Sequence, residues 1–122
     1  MENLQKNIYV NKLFDLYGSL LTENQRNIVE LYYCLNLSLS EISESKNISR
    51  NGVYDALKKG VQALENYESN LHLLKNEEEL NTFLEDLKKG KSEKEIELIN
   101  KIQGKVINHG IWIIIWSFPI HL

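Results

Sequence analysis

Two neighbouring stretches decide the fold: Leu21-Thr-Glu-Asn-Gln-Arg-Asn-Ile-Val-Glu-Leu-Tyr-Tyr33 and Ser38-Leu-Ser-Glu-Ile-Ser-Glu-Ser-Lys-Asn-Ile-Ser-Arg-Asn-Gly-Val53. Each begins with a capping box, in which a Ser or Thr is followed three residues later by Glu or Gln: Thr22 with Gln25, and Ser38 with Glu41. A capping box marks the first turn of a helix. The two stretches therefore predict two consecutive helices.

A third helix follows after a short turn. Asn47 stands where the turn between two crossed helices needs a residue that tolerates a left-handed backbone. Ser49 then caps a helix that begins at Arg50. This order predicts a helix-turn-helix, the unit that nucleic-acid-binding proteins use to place one helix in a major groove.

The composition predicts one all-α domain with an extension. The chain has 122 residues, 43% of them hydrophobic, with only six glycines and one proline. The lone cysteine, Cys34, excludes a disulfide framework, fits a reducing cytosol and is predicted to pack in the core. The N-terminus has no apolar run typical of a signal peptide, so we expect a cytoplasmic protein.

The net charge of −3 is unfavourable for a protein that binds nucleic acid. Residues 1–64 carry seven basic and seven acidic side chains, whereas residues 65–122 carry seven basic and ten acidic ones. The first half is therefore neutral rather than basic, which lowers the expectation of tight DNA binding.

Helical periodicity predicts four helices in residues 1–67, the helix-turn-helix domain. Gly18 is expected to stop the first, and the second is expected to turn Ile28, Leu31, Tyr32 and Leu35 inward. The predicted helices run from Ile8 to Tyr17, with an apolar stripe of Val10, Leu13, Phe14, Tyr17, Leu20 and Leu21, then from Glu23 to Leu35, Leu39 to Lys46 and Arg50 to Tyr67.

Residues 68–105 are predicted to form an acidic extension of two helices. Glu77-Glu-Glu is expected to occupy the first turn of one helix, where its negative charge complements the helix dipole. This interpretation is favoured over a metal site. Ser92 and Glu95 form a third capping box, which starts the other helix. Two apolar stripes could pack on each other, either within one chain or across a two-fold axis: Leu80, Phe83, Leu84 and Leu87 on the first helix, and Ile96, Ile99 and either Ile102 or Gln103 on the second.

Residues 106–122 form an atypical tail, with no charged side chain after Lys105 and many apolar ones. This tail is too short to span a bilayer, which needs about 20 apolar residues. Three interpretations stay open: a segment buried in a partner or dimer interface, an interfacial membrane anchor, or a non-native or disordered end produced by a shifted reading frame. The last is favoured because the tail matches nothing upstream.

The order Leu-Thr-Glu-x-Gln-Arg-x-Ile, then Leu-Ser-x-Ser-Glu-Ile, then Ile-Ser-Arg-x-x-Val resembles region four of bacterial sigma factors. The resemblance implies a buried junction of Leu39, Ile42, Ile48 and Val53, with Ser43 small enough to let the helices cross closely. The side chains of Arg50 and Asn51 can bind the base edges of guanine and adenine. Ser38 and Ser49, with the N–H groups at their helix starts, can bind phosphates. The predicted nucleic-acid-binding residues are Ser38, Ser49, Arg50, Asn51, Tyr54, Asp55, Lys58 and Lys59.

The chain departs from the sigma-factor pattern on this surface. Gly52, Tyr54 and Asp55 stand where sigma-type recognition helices usually have basic residues. Asp55 is negatively charged and would repel a phosphate, although its carboxylate could accept a hydrogen bond from a cytosine amino group. Tyr54 is interpreted either as a base-stacking residue or as an ordinary surface residue, and Lys58 and Lys59 either as phosphate contacts or as a solvated helix face.

Residues 1–105 as a whole are similar to the YlxM-like family of small bacterial helix-turn-helix proteins. The resemblance implies an all-α homodimer without a catalytic site. It also implies a role in the signal recognition particle pathway, with the protein or RNA components of that particle as partners.

Two functions follow as hypotheses: a DNA-binding regulatory protein, or a protein-interaction accessory of the signal recognition particle GTPase that keeps the helix-turn-helix as a scaffold. Neither is an enzyme. The histidines and Cys34 lack metal-ligand spacing, and the chain has no glycine-rich phosphate loop or nucleophile elbow. We therefore expect no cofactor, no metal and no small-molecule substrate.

Overall fold

The structure, a computed structural model, describes residues 4–107, with side chains for residues 4–105. Within that range it contains six α-helices, a 3-10 turn and a π-helical turn, without a β-strand. The helices are α1 (Leu4–Tyr17), α2 (Glu23–Val29), α3 (Leu39–Lys46), α4 (Arg50–Leu71), α5 (Leu73–Leu87) and α6 (Glu93–Ile107). This confirms the all-α fold and the order of a helix-turn-helix followed by two helices.

The chain forms two compact units, which meet in sequence between Leu71 and His72. The tail, for which three interpretations stay open, lies outside the described residues from residue 108 onward. None of the helices within residues 4–107 is both long enough and apolar enough to cross a bilayer.

The first unit is built around α4, which contacts α1, α2 and α3. Its inward side chains repeat at helical spacing, and the buried ones include Val53, Leu57, Val61 and Leu64. Gly60 lies on the same face, where α2 comes so close that a Cβ at this position would be 2.7 Å from Cγ2 of Val29. Only a glycine permits this approach of the two helices.

Helices α1 and α4 are longer than the periodicity predicts. Helix α1 begins at Leu4 rather than Ile8, because its exposed polar first turn contains no residue that would stop a helix. Helix α4 continues past Tyr67 to Leu71, and the hydroxyl of Tyr17 donates to the carboxylate of Glu68 (2.7 Å) in this added turn. Helix α4 ends there, because the next residue, His72, has a left-handed backbone with a φ of 56°.

The predicted stripe of the first helix is wrong in two places. The α-helix ends at Tyr17, as Gly18 predicts, and a 3-10 turn (Gly18–Leu20) follows. Its tighter winding changes the direction of the side chains. As a result Leu20 is exposed. Leu16, which the stripe omitted, is buried within α1, three residues after buried Leu13.

The second predicted helix changes its winding after α2. A π turn (Glu30–Cys34) follows, in which the N–H of Leu35 bonds to the carbonyl of Glu30 (3.0 Å). Such a turn adds one residue to the helical repeat. The core side chains of this stretch are Ile28, Val29 and Tyr33, so Tyr33 is buried where the prediction placed Tyr32. The predictions that Leu35 and Cys34 lie in the core are wrong, since both are exposed.

The second unit is an antiparallel hairpin of α5 and α6. Helix α5 begins at Leu73, so the prediction that Glu77-Glu-Glu forms its first turn is wrong; nothing between His72 and Glu77 breaks the helix. The Ser92–Glu95 capping box is present at the start of α6. Gln103, not Ile102, faces inward and donates to Oδ1 of Asn81 (2.9 Å).

Candidate nucleic-acid interface

The start of α3 is held by the predicted capping box. The Ser38 hydroxyl accepts the N–H of Glu41 (3.1 Å), and the Glu41 carboxylate accepts the N–H of Ser38 (2.9 Å). Hydrogen bonds to the carboxylate from the N–H of Ser38, and then from its hydroxyl, hold the pKa of Glu41 below its usual value. The carboxylate therefore occupies an N–H that a phosphate would use, and places negative charge at this helix start.

The turn between α3 and α4 is fixed by side-chain hydrogen bonds. Asn47 adopts the left-handed conformation (φ 56°, ψ 44°) that its position predicts. The Ser43 hydroxyl donates to the carbonyl of Ile48 (2.5 Å), and the Ser49 hydroxyl accepts the N–H of Gly52 (3.0 Å). These bonds set the direction in which α4 leaves the turn.

Only part of the predicted junction between α3 and α4 is buried. Ile42 and Val53 are fully buried, and Leu39 is half-buried. Ile48 is 41% exposed, so its predicted burial is wrong. Its position directly after left-handed Asn47 places it in the turn rather than between the helices.

All eight residues predicted to bind nucleic acid are exposed, and they lie on the start of α3, the turn and the first turns of α4. On α4, Asn51, Tyr54, Asp55 and Lys58 stand at i, i+3, i+4 and i+7, which places them on one face of the helix. Arg50 lies one turn before Tyr54, which is 56% exposed. We call Arg50, Asn51, Tyr54, Asp55 and Lys58 the exposed stripe.

The electrostatics of this surface are nearly neutral. Residues 38–59 contain four basic and three acidic side chains. At the edge of the exposed stripe, Nζ of Lys59 lies 3.1 Å from Oδ2 of Asp55, and both side chains are largely exposed. The ion pair uses a cation that a phosphate would attract, so the structure brings the predicted residues together but not as a strongly basic patch.

Two features of this surface escaped the sequence analysis. Gly52 belongs to the cap, because a Cβ there would be 3.2 Å from Oγ of Ser49. The sequence indicates this role through spacing, because the hydroxyl of a capping serine accepts the N–H of the residue three positions later, which is Gly52 for Ser49. Ile48 adds apolar surface at the turn. The residue before it, left-handed Asn47, was the feature of the sequence that could have indicated this exposure.

Comparison with known proteins gives one consistent match. The family model described as "UPF0122: Putative helix-turn-helix protein, YlxM / p13 like" matches residues 4–105. A UPF0122 protein of Lactococcus lactis subsp. cremoris is 45% identical over 100 residues, covering 82% of this chain and 89% of the relative. A UPF0122 protein of Clostridium kluyveri is 40% identical over 114 residues, covering 87% of this chain and 99% of the relative.

Proposed function

Because this chain belongs to the UPF0122 family of YlxM- and p13-like helix-turn-helix proteins, we propose that it is a DNA-binding regulatory protein of the cytosol and not an enzyme. In this function the first turns of α4 enter the major groove of a DNA duplex. Arg50 and Asn51 contact base edges, and Lys58 contacts the backbone phosphates.

The observation that carries this proposal is the exposed stripe on a helix start of fixed direction. The Ser43–Ile48 and Ser49–Gly52 hydrogen bonds hold the turn, so the stripe needs no rearrangement before it meets DNA. Preorganisation of this kind lowers the entropic cost of binding. The small number of available cations implies weak binding with a shallow dependence on salt.

The test compares Arg50→Ala with Arg26→Ala, which removes the same side chain from an exposed position on α2, outside the stripe. Selection from a random duplex library at low ionic strength first supplies the preferred site, and binding is then measured by fluorescence anisotropy. Loss of Arg50 is expected to cost about 1–3 kcal/mol and to relax the preference at one base pair. Arg26→Ala should bind as the wild type does.

Two outcomes overturn the DNA-binding proposal. The first is a wild-type protein that shows no salt-sensitive retention on any duplex at low ionic strength. The second is an equal loss of affinity in the Arg26 and Arg50 variants, because a specific contact by the stripe predicts different losses.

As a second candidate we propose a protein-interaction accessory of the signal recognition particle, in which the helix-turn-helix is a scaffold. The near-neutral stripe favours this alternative, as does the acidic composition of the second unit. On the hairpin, Glu78, Glu93 and Glu97 are all exposed. Helical spacing places them on the same side of α5 and α6, where they would complement a basic partner.

This alternative is tested by co-purification of the chain with the GTPase of that particle, with and without nuclease. Reversal of Glu78, Glu93 and Glu97 to Lys should abolish nuclease-resistant co-purification. Glu95 is left unchanged because it belongs to a capping box. The control is Glu65→Lys, which reverses one exposed charge on α4. Binding that survives the triple reversal contradicts the acidic-surface model, and binding lost on nuclease treatment favours the first proposal.

A further inference from the structure

The α5–α6 hairpin has large apolar side chains that do not hold its two helices together. Its buried side chains, among the described residues, are Leu74, Leu84, Ile99 and Gln103. A second set is at least 41% exposed, with Phe83 the most exposed at 63%: Leu73, Leu80, Phe83 and Leu87 on α5, and Leu98 and Ile102 on α6. We call this second set the apolar face.

Helix geometry places the apolar face on one side of the hairpin. At about 100° per residue, the exposed row of α5 is rotated by roughly 100° from the row that contains Leu74 and Leu84. The exposed pair of α6 is rotated by about the same angle, in the same sense along the chain, from Ile99 and Gln103. Because the two helices are antiparallel, both exposed rows lie on the same side. A continuous apolar surface of this kind marks a binding site.

The sequence that follows α6 is complementary to this surface. Residues 108–122 contain no Asp, Glu, Lys or Arg, and residues 111–116 read Ile-Trp-Ile-Ile-Ile-Trp. An uncharged segment covers an apolar surface without taking a charge out of water. Left in water, a run of this composition favours association with other chains. Packing the segment on the apolar face therefore removes apolar surface of both from water.

We propose that residues 111–118 pack on the apolar face of the same chain, along the groove between α5 and α6. The segment then needs neither a partner protein nor a membrane to cover it. Asn108 and Gly110 are residue types that favour turns, and a turn at this point directs the segment back along the hairpin. This packing depends on the composition and position of the segment and not on its origin.

The register of the hairpin fixes the level at which the segment begins. Gln103 donates to Oδ1 of Asn81 (2.9 Å) and to Oε1 of Glu85 (3.1 Å), so residue 103 lies at the level of about residue 83 on α5. The last residue of α6, Ile107, is then level with about residue 79. The segment therefore leaves α6 beside the apolar face.

The distances allow the segment to reach the face and to cover most of it. Only three residues separate Ile107 from Ile111, and this connection spans up to roughly 14 Å. Leu80 and Phe83 lie within roughly 6 Å of the level of Ile107 along the helix axis. Residues 111–116 in extended form reach roughly 20 Å, whereas the levels of Leu80 and Leu98 differ by roughly 12 Å.

The short connection favours packing within one chain over packing between chains. A connection of a few residues holds the segment near the face at an effective concentration on the order of millimolar. A second copy of the chain, or a membrane, has to compete with that concentration. We therefore expect the segment to occupy the face in the monomer.

Tryptophan fluorescence reports on this segment alone, because the two tryptophans of the chain, Trp112 and Trp116, both lie in it. Acrylamide quenching is measured for the full 122-residue chain, folded and in urea, at a concentration where sedimentation equilibrium shows a monomer. The folded monomer should be quenched about threefold less than the unfolded chain, since packed aromatic rings are shielded from the quencher.

Phe83→Asp and Leu98→Asp each place a carboxylate on the apolar face. Either variant should raise quenching towards the value in urea, because an apolar segment does not cover an unpaired charge. The matched control is Asn100→Asp, which adds the same charge at an exposed residue on the opposite side of α6 and should quench as the wild type does. All three side chains are exposed, so circular dichroism should show unchanged helix content.

Ile114→Asp changes the segment and leaves the hairpin intact. It should raise quenching in the same way, and it should also increase the binding of a dye that reports exposed apolar surface, because the face is uncovered. Equal quenching of the wild type in the folded and unfolded states overturns the proposal. Shielding that survives both Phe83→Asp and Leu98→Asp overturns it too, because the segment then packs elsewhere.

Two further outcomes identify a different occupant of the face and also overturn the proposal. Shielding that is found only in oligomers assigns the segment to the face of a second copy. Shielding that is found only after addition of phosphatidylglycerol and phosphatidylcholine vesicles assigns it to a membrane surface. Shielding in the monomer without vesicles, lost in the face variants and preserved in Asn100→Asp, is the result that we expect.

Discussion

Lys59 and Asp55 form an exposed ion pair one turn apart on α4, with Nζ and Oδ2 separated by 3.1 Å. An exposed pair of this kind adds little to stability, typically under about 1 kcal/mol. Its effect on function is larger, because Asp55 repels phosphates and also engages a nearby cation. The pair therefore limits how strongly the exposed stripe attracts DNA.

Asp55→Asn should strengthen DNA binding. The change removes a negative charge from the stripe and releases Lys59, so affinity at low salt should rise by about three- to tenfold and the salt dependence should steepen by about one phosphate contact. Fluorescence anisotropy over a salt series measures both quantities. The control is Glu65→Gln, an exposed neutralisation on the same helix outside the stripe. Equal gains in both variants would show that only net charge matters.

Gly60→Ala should destabilise the first unit. The added Cβ would lie 2.7 Å from Cγ2 of Val29, which is fully buried. Overpacking of a core typically costs about 1–3 kcal/mol, which exceeds the gain of about 1 kcal/mol in helix propensity. Thermal denaturation followed by circular dichroism gives the change in midpoint.

The matched control for this substitution is Gly104→Ala in α6. A Cβ at residue 104 has no atom of the described residues within 4 Å. Only the propensity gain then remains, so this variant should be neutral or more stable by up to about 1 kcal/mol. If both glycine variants lose stability equally, the α2–α4 approach at Gly60 is not the cause.

The starts of α2, α3 and α4 were predictable because caps depend on residues close in sequence. Thr22 with Gln25 and Ser38 with Glu41 form both of their reciprocal hydrogen bonds. Asn47 adopts the left-handed backbone that its position predicts. Each of these signals is complete within four residues and needs no information about packing. The exposure of Arg50, directly after a capped turn, followed from the same local signals.

The π turn was not predictable from a regular helical period. Periodicity assumes 3.6 residues per turn throughout, and one added residue shifts every later side chain. Tyr33 thus takes the core position expected for Tyr32, and Leu35 becomes exposed. The turn also makes a contact with a residue far away in sequence: the Nδ2 group of Asn11 on α1 donates to the carbonyl of Tyr33 (3.2 Å).

Asn11→Ala should therefore destabilise the first unit by about 1–2 kcal/mol, because part-buried hydrogen bonds at the π turn are lost. The side chain contacts Tyr33 through Nδ2 and Cys34 through Oδ1. Urea denaturation measures the loss. The Nδ2 group of Asn11 also donates to the carbonyl of Asn7, four residues earlier (2.9 Å). The control is Asn70→Ala on α4, whose Nδ2 donates to the carbonyl of Asn66 in the same way but is exposed. That control should change stability by less than about 0.5 kcal/mol.

Glu41 should make the stability of the first unit sensitive to acid. Hydrogen bonds from the N–H and hydroxyl of Ser38 hold its pKa below the usual 4.5. The stabilisation is thus complete above pH 4.5 and is lost as the pH falls through the lower pKa of the folded state. Urea midpoints at pH 7 and pH 3 measure this loss for the wild type.

Glu41→Gln isolates this effect because glutamine keeps the capping hydrogen bonds but does not titrate. The variant should lose less stability between pH 7 and pH 3 than the wild type. Glu85 and Glu95, whose pKa values are also lowered by hydrogen bonds, should preserve part of the acid sensitivity. Glu44→Gln, on the exposed side of α3, is the control for loss of one charge. The same reduction in both variants would contradict a specific role of the capping box.

Cys34 is an exposed residue with a partly buried sulfur, so it should react slowly with thiol reagents. Burial of the sulfur, and then the charges of Glu30 and Asp15, raise the pKa of this thiol to about 11. Since only the thiolate attacks, alkylation by iodoacetamide at pH 8 should be about a hundredfold slower in the folded chain than in urea, where the pKa returns to about 8.5. Glu30→Gln should speed the folded-state reaction by lowering the pKa, whereas Glu23→Gln, an exposed change on α2 away from Cys34, should not. Equal rates in folded and unfolded protein would mean that the π turn does not shield the sulfur.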